Sequence, residues 1–410
     1  MSRAAQGLGA GRYVDPIGAP EAVTTTVHQL TTTDGASVAG VLRVPQGARV
    51  VVTIMHPRQD VTHHALVPYL LTAGHAVWTQ GSRSPNNDLS LIHEQAILDL
   101  AAGMSFIRRH GFDTILSLGH SGGATLAAFY CQQAALAPSS RLTATPSGRP
   151  VPLADAEMPL PDGVMFLAPH PGQGQLLQRV IDPSVIDESD PRSIDPALDP
   201  FDPRNGFRDA PNSSDYAPEF VARYRKAQVA RIRRIDAAAA VIIKESQAAN
   251  RAFKTDGNPR NRRAALAPRL ILVHRTDADL RNVDLSLDPN RRPYGSLFGR
   301  RPDLTNSGLV GFGRLSTAEA WMSTWSATTT NADFAACAPG VTVPTLLLEF
   351  SGDQASFPAD IAHFASLLGA SDLEIDQIDG THFGGPITEG SPTGNELAAA
   401  RIQLWVSARF

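Results

Sequence analysis

Thr114-Ile115-Leu116-Ser117-Leu118-Gly119-His120-Ser121-Gly122-Gly123 decides the reading of this chain, together with the run Ala-Thr-Leu-Ala-Ala-Phe-Tyr-Cys-Gln-Gln-Ala that begins at Ala124. The first part ends an apolar run of strand length, and the second carries helical spacing. Between them stands Gly-x-Ser-x-Gly, whose small residues two before and two after let a strand and a helix approach closely around an exposed serine. A serine hydroxyl held out on such a bend becomes a nucleophile once a base takes its proton. The string alone recurs by chance in glycine-rich chains. Its place directly after a strand and directly before a helix makes Ser121 the candidate nucleophile.

Upstream, Thr24 to Arg43 holds two β-prone runs separated by Asp34-Gly35, a strong hairpin signal. Val50 to Met55 is an unbroken apolar run of the kind buried on both sheet faces, followed by a loop and then by helical spacing in HALVPYLLTAG. Strand and helix recur in His75 to Gln80 and in the segment from Leu89 to Arg109. This alternation predicts a mostly parallel central sheet with helices on both faces. Ser139 to Asp162, rich in Pro, Ser and Thr, reads as a surface excursion before a sixth strand at Gly163. Alternation resumes near Val343, with PTLLLEFSGD, a helix from about Ala359, the strand LEIDQID and a final helix from Asn395.

The intervening segment does not continue the pattern and predicts an inserted cap. The expected division is residues 1 to 170 for the first part of the core, 171 to 315 for the cap, and 316 to 410 for the second part. The cap opens with Asp-Pro pairs at Asp182, Asp190, Asp195, Asp199 and Asp202, each favouring a turn. Their spacing fits no regular calcium loop, so no metal is expected. Pro218 and Glu219 open a long helix to about Gln247, with arginines interleaved among its apolar positions. RLILVHR and VDLSLD then read as two strands of a small cap sheet.

A base for Ser121 is expected after the last strand, where Asp379 leads into Gly380-Thr381-His382-Phe383-Gly384-Gly385. Histidine as a residue type can gain and lose a proton near neutral pH, so His382 is the candidate to accept the serine proton and return it to a leaving group. Asp353 is the carboxylate in the turn after PTLLLEF and is the candidate to orient that histidine, ahead of Asp376 and Asp379, which lie too near His382 in sequence. The order Ser, Asp, His is one of the known serine-hydrolase orders. An oxyanion needs backbone N–H donors. Gly122 supplies one, and the loop His56-Pro57-Arg58 supplies the other from Arg58, because Pro57 has no N–H. His56, His120 and His170 are candidates for the substrate pocket, and the cap arginines are candidates for holding a substrate carboxylate.

On GHSGG, the HP loop after the third strand, SGDQASFP and DGTHFGG, the chain resembles the α/β-hydrolase superfamily in its serine esterase and lipase branch. The likeness covers about Thr24 to Leu136, Gly163 to His170 and Val343 to Phe410. It implies the α/β-hydrolase fold with a large inserted cap, and the roles already given to Ser121, Asp353 and His382. Two departures limit the transfer. Many relatives have His-Gly where this chain has His56-Pro57, and the acid loop is one residue longer to its proline.

Over 410 residues, with 42% hydrophobic and 19% charged side chains, there is enough chain for a full core and a second module. A net charge of -4 recommends neither nucleic acid nor an anionic membrane, which leaves a small-molecule substrate as partner. No stretch approaches the ~20 apolar residues of a spanning helix, and the first sixteen residues lack a signal-peptide apolar run, so a cytoplasmic location is expected. The two cysteines, Cys131 and Cys337, are too far apart for a metal spacing, and no cofactor is expected. The leading function is hydrolysis of a carboxylic ester or lactone through an acyl-enzyme. The same three residues would serve an amidase, an acyltransferase or a carbon–carbon bond hydrolase, and a non-catalytic receptor on the same fold is the alternative of another class.

Overall fold

A computed structural model describes Gly18, Pro20 and residues 22 to 410; the opening segment read for a signal peptide lies outside these. The hairpin at Asp34-Gly35 forms between strands β1 (Val23–Thr31) and β2 (Ser37–Pro45), paired from Val23 with Pro45 to Thr31 with Ser37. Gly35 takes φ +81°, which an L side chain adopts only with strain, and the Thr32 N–H closes the turn on the Ala36 carbonyl.

Strands β3 (Val50–Met55), β4 (Ala76–Gln80), β5 (Thr114–His120) and β6 (Gly163–Leu167) follow, then β7 (Leu270–Leu272) and β8 (Leu315–Thr317) in the insertion. Strands β9 (Thr345–Gly352) and β10 (Leu373–Thr381) complete the set. The main sheet runs β1-β2-β4-β3-β5-β6-β9-β10, with β2 antiparallel to both its neighbours and every other pair parallel. The central strands are mostly apolar and are buried along their length because helices cover both faces. Edge strand β10 instead alternates between half-buried and exposed positions.

Helices α1 (Val67–Thr72), α2 (His93–Arg109) and α3 (Gly122–Ala135) belong to the first part of the chain. Trp78, Met104, Phe129 and Phe166 pack into the core on one face, while Leu70, Leu118, Ile402 and Trp405 pack on the other. The stretch after α3 is more firmly held than its composition suggests. The Arg141 guanidinium donates to the carbonyls of Gln133, Leu153 and Ala156, and Tyr130 donates to Pro159, so Leu153 and Met158 are buried against α3.

The insertion begins with α4 (Gln173–Val180) and is dominated by α5 (Pro218–Asp256), a 39-residue helix ended by Gly257 at φ +63°. Its buried positions, Phe220, Tyr224, Gln228, Arg231, Ile232, Ile235 and Ala239, recur every three or four residues and stop there. The short α6 (Pro259–Leu266) turns back along it. At each Asp-Pro pair the Asp side chain accepts the N–H two residues on, at Ser184, Arg192, Ala197, Phe201 and Arg204, so the segment is a series of side-chain-closed turns. Arg231 pins it to α5, donating to Glu188 and to the Asp182 and His274 carbonyls.

The small sheet differs from expectation. Leu270–Leu272 pairs with Leu315–Thr317, and VDLSLD is not a strand. Asp284 breaks that run, because its carboxylate accepts from the N–H groups of Tyr216 and Ser286, while Val283 is drawn into an aromatic cluster with Phe220 and Tyr224. Strand β8 also spans the position where the second part of the core was expected to begin. Among the described residues no helix is long and apolar enough to cross a membrane.

Candidate active site

Ser121 stands between the end of β5 and the start of α3 with φ 55° and ψ -121°, a conformation a non-glycine residue holds only under strain. Three glycines permit the bend. A methyl group on Gly119 would come within 2.5 Å of the Ala124 Cα, and one on Gly123 within 2.7 Å of the Met55 carbonyl oxygen. One on Gly122 would come within 2.3 Å of Gln173 Nε2 and 2.9 Å of both His56 Nε2 and His170 Nε2. The Ser121 N–H is tied to the Leu167 carbonyl on the neighbouring strand, which fixes the bend to the sheet.

Two loops bring His382 and Asp353 to it from β10 and β9. His382 Nε2 lies 2.8 Å from Ser121 Oγ. On the other side of the ring, His382 Nδ1 lies 2.8 Å and 2.9 Å from the two carboxylate oxygens of Asp353. Asp353 is fully buried, and its Oδ1 also accepts from the N–H groups of Ala355 and Ser356, which keep the carboxylate from turning away. The neighbouring carboxylates are engaged elsewhere, Asp376 with Arg401 and Asp379 with Arg291 and Ser351. The serine hydroxyl therefore faces a base, and the base faces an acid.

The strand order, its single antiparallel strand and a strained serine at the β5–α3 bend together decide the architecture. The chain has the α/β-hydrolase fold. No family model matches its sequence, and no curated protein does. Among solved structures it is similar to the esterase Pf2001 of Pyrococcus furiosus, with 10% identity over 97% of this chain and 99% of that one and a TM-score of 0.40. It is also similar to the α/β hydrolase GrgF of Penicillium sp. sh18, with 10% identity over 94% of this chain and 98% of that one and a TM-score of 0.48. Brefeldin A esterase, described as a bacterial homologue of human hormone-sensitive lipase, gives 12% identity over 97% of this chain and 79% of that one, with a TM-score of 0.44.

Around this α/β-hydrolase serine lies a cavity of about 220 Å³, lined by Met55, His56, His64, His120, Ser121 and Phe383 among others. A larger cleft of about 670 Å³ opens beside α5 and α6, and none of Ser121, Asp353 and His382 lines it. His56 and His120 thus reach the serine's cavity; His170 lies behind Gly122. Burial holds the His170 imidazole far below its ordinary range, so it is neutral, and its Nδ1 accepts from the Gly172 N–H. Gly122 opens α3, where helix N–H groups lack intrahelical acceptors. The Arg58 N–H donates to His56 Nδ1 in this structure, as does that of Gln59. The Arg58 guanidinium is paired with Asp88 and lies over the rings of Phe312 and Trp325.

Sequence reasoning did not single out His64, His93 or Gln173. His93 is fully buried at the start of α2, its Nε2 3.0 Å from Gln173 Oε1 and its Nδ1 3.1 Å from Thr324 Oγ1, and burial pushes its pKa down to about 4. Histidines in loops or at helix starts carry no pattern that separates such placements. On α5, Arg225 is paired with Asp279, and Arg231 and Arg234 with Glu188. The described residues contain no cluster suited to a metal ion, and Cys131 and Cys337 are buried free thiols.

Proposed function

We propose that this chain is a serine hydrolase that cleaves a carboxylic ester or lactone through an acyl-enzyme on Ser121. The observation that carries the reading is the continuous contact from Ser121 through His382 to Asp353. In this mechanism Ser121 Oγ attacks the acyl carbon while its proton passes to His382 Nε2. The imidazolium so formed is stabilised by the Asp353 carboxylate. Negative charge on the former carbonyl oxygen is met by the Gly122 N–H at the positive end of α3. Collapse expels the alcohol, which takes the proton from His382. Water then repeats the sequence on the acyl-enzyme and releases the acid.

The cavity at Ser121 is smaller than the ~300 Å³ at which drug-sized pockets begin, which favours a compact acyl group despite the size of the insertion. A fluorophosphonate probe tests the assignment. Wild type is expected to label and Ser121→Ala not to; equal labelling of both overturns it. A panel of p-nitrophenyl esters, lactones and anilides then separates ester from amide hydrolysis, and turnover of anilides alone would move the reading to an amidase.

A further inference from the structure

His120, the last residue of β5, points its ring at the loop that carries His382. Its Nε2 lies 2.9 Å from the His382 carbonyl oxygen and its Nδ1 3.0 Å from His64 Nε2, while His64 Nδ1 lies 3.3 Å from the Leu66 N–H nitrogen. These contacts fix every proton. A carbonyl oxygen only accepts, so His120 carries its hydrogen on Nε2 and leaves Nδ1 as an acceptor. The Leu66 N–H only donates, so His64 Nδ1 is bare, its hydrogen sits on Nε2, and that hydrogen is given to His120 Nδ1. Leu66, His64, His120 and the His382 carbonyl form one chain of bonds, all donated in the same direction.

The loop so held leaves the sheet at an irregular edge, and just beyond His382 the side chain and N–H of Asn395 hold the Phe383 and Gly384 carbonyls. Strand β10 is at the sheet's edge, and its pairing with β9 is irregular between Ile378 and Thr381, directly before His382. Beyond it the chain turns through Thr381, Gly384 and Gly385. Strand β5, by contrast, has parallel partners on both sides. The bond from His120 therefore runs from the middle of the sheet to its margin, and it joins the residue before Ser121 to the backbone of His382.

We infer that His120, backed by His64, is a positioning device that holds His382 at hydrogen-bonding distance from Ser121. The inference rests on the proposed role of His382 as base to Ser121. Neither ring takes a proton from substrate. His120 acts on the main chain of His382 and so sets where its imidazole stands. A displacement of about 1 Å at such a contact can lower a rate about 100-fold.

The test compares His120→Leu, which removes the donor, with His120→Gln, whose amide N–H can still reach the carbonyl. Second-order labelling of Ser121 by a fluorophosphonate, and kcat and KM on a p-nitrophenyl ester from the panel, are measured for each folded variant. Expected for His120→Leu is a fall of about 10- to 100-fold in labelling rate and kcat with KM within about threefold of wild type, and for His120→Gln a return of most of that rate. His64→Phe is expected to lose less, and to add nothing further in the His120→Leu background. Should His120→Leu fail to fold, His64→Phe and His120→Gln carry the comparison, with a slowed His64→Phe expected. Wild-type labelling in every variant that lacks a donor overturns the inference, as does a loss confined to KM, which would make the rings only a cavity wall. Failure of wild type to label at Ser121 overturns the functional reading instead.

Discussion

Both carboxylate oxygens of Asp353 lie within 2.9 Å of His382 Nδ1. That grip leaves Nε2 as the nitrogen facing Ser121. Asp353→Asn keeps the shape but offers an N–H or a weaker acceptor to Nδ1 and favours the wrong tautomer. Turnover of the best ester is expected to fall about 10³- to 10⁴-fold with the circular dichroism spectrum unchanged. Turnover near wild type would move the orienting role to another carboxylate.

Gly122 has no room for a side chain. In Gly122→Ala the new methyl meets Gln173 Nε2, His170 Nε2 and His56 Nε2, two of them on buried rings. Overpacking of this kind costs about 1 to 3 kcal/mol, so an unfolding free energy lowered by that amount in urea titration is expected, together with slower labelling of Ser121. Unchanged stability would mean that these side chains yield freely.

Arg231 is a fully buried cation on α5, and Glu188 and two carbonyls depend on it. Arg231→Met is expected to destabilise the protein by about 3 kcal/mol, the low end for breaking a buried pair, because Glu188 keeps some contact with water. Denaturant titration measures the loss. Limited proteolysis should then cut first in the Asp-Pro segment that Arg231 pins.

His93 makes a prediction about pH. Its folded pKa of about 4 is below the ordinary imidazole value of 6.5, so between these values the unfolded chain binds the extra proton. Its contribution to stability is fully present above about pH 6.5 and is lost as pH falls toward 4. His93→Gln is expected to flatten the fall in melting temperature across that window. The difference between wild type and variant separates His93 from Glu94, whose carboxyl burial pushes up. Parallel curves for the two proteins would show that His93 is not the group responsible.

The core was legible in the sequence because its signals are local. An apolar strand, Gly-x-Ser-x-Gly and an apolar helix lie within one stretch, and the loops carrying Asp353 and His382 follow strands as the pattern requires. The insertion was less legible. Its short strand Leu270–Leu272 pairs with Leu315–Thr317 across more than forty residues, and no local feature of either run names the other. VDLSLD alternates like a strand, yet the Asp284 carboxylate competes for backbone N–H groups and wins. Around Ser121, the partners of His120 depend on side-chain reach across loops, which spacing along the chain does not encode.

Helix α5 carries one further consequence. At 1.5 Å per residue its 39 residues extend about 58 Å, but no position beyond Ala239 is buried. The proximal half is part of the packed interior. The distal half, with α6 beside it, rides on the surface: Ile242 and Ile243 are half-buried against the cluster of Ile232 and Trp321, and Gln247 donates to the Ser147 carbonyl. No residue of that distal half lines the cavity at Ser121, so its outward-facing positions answer to solvent rather than to the serine.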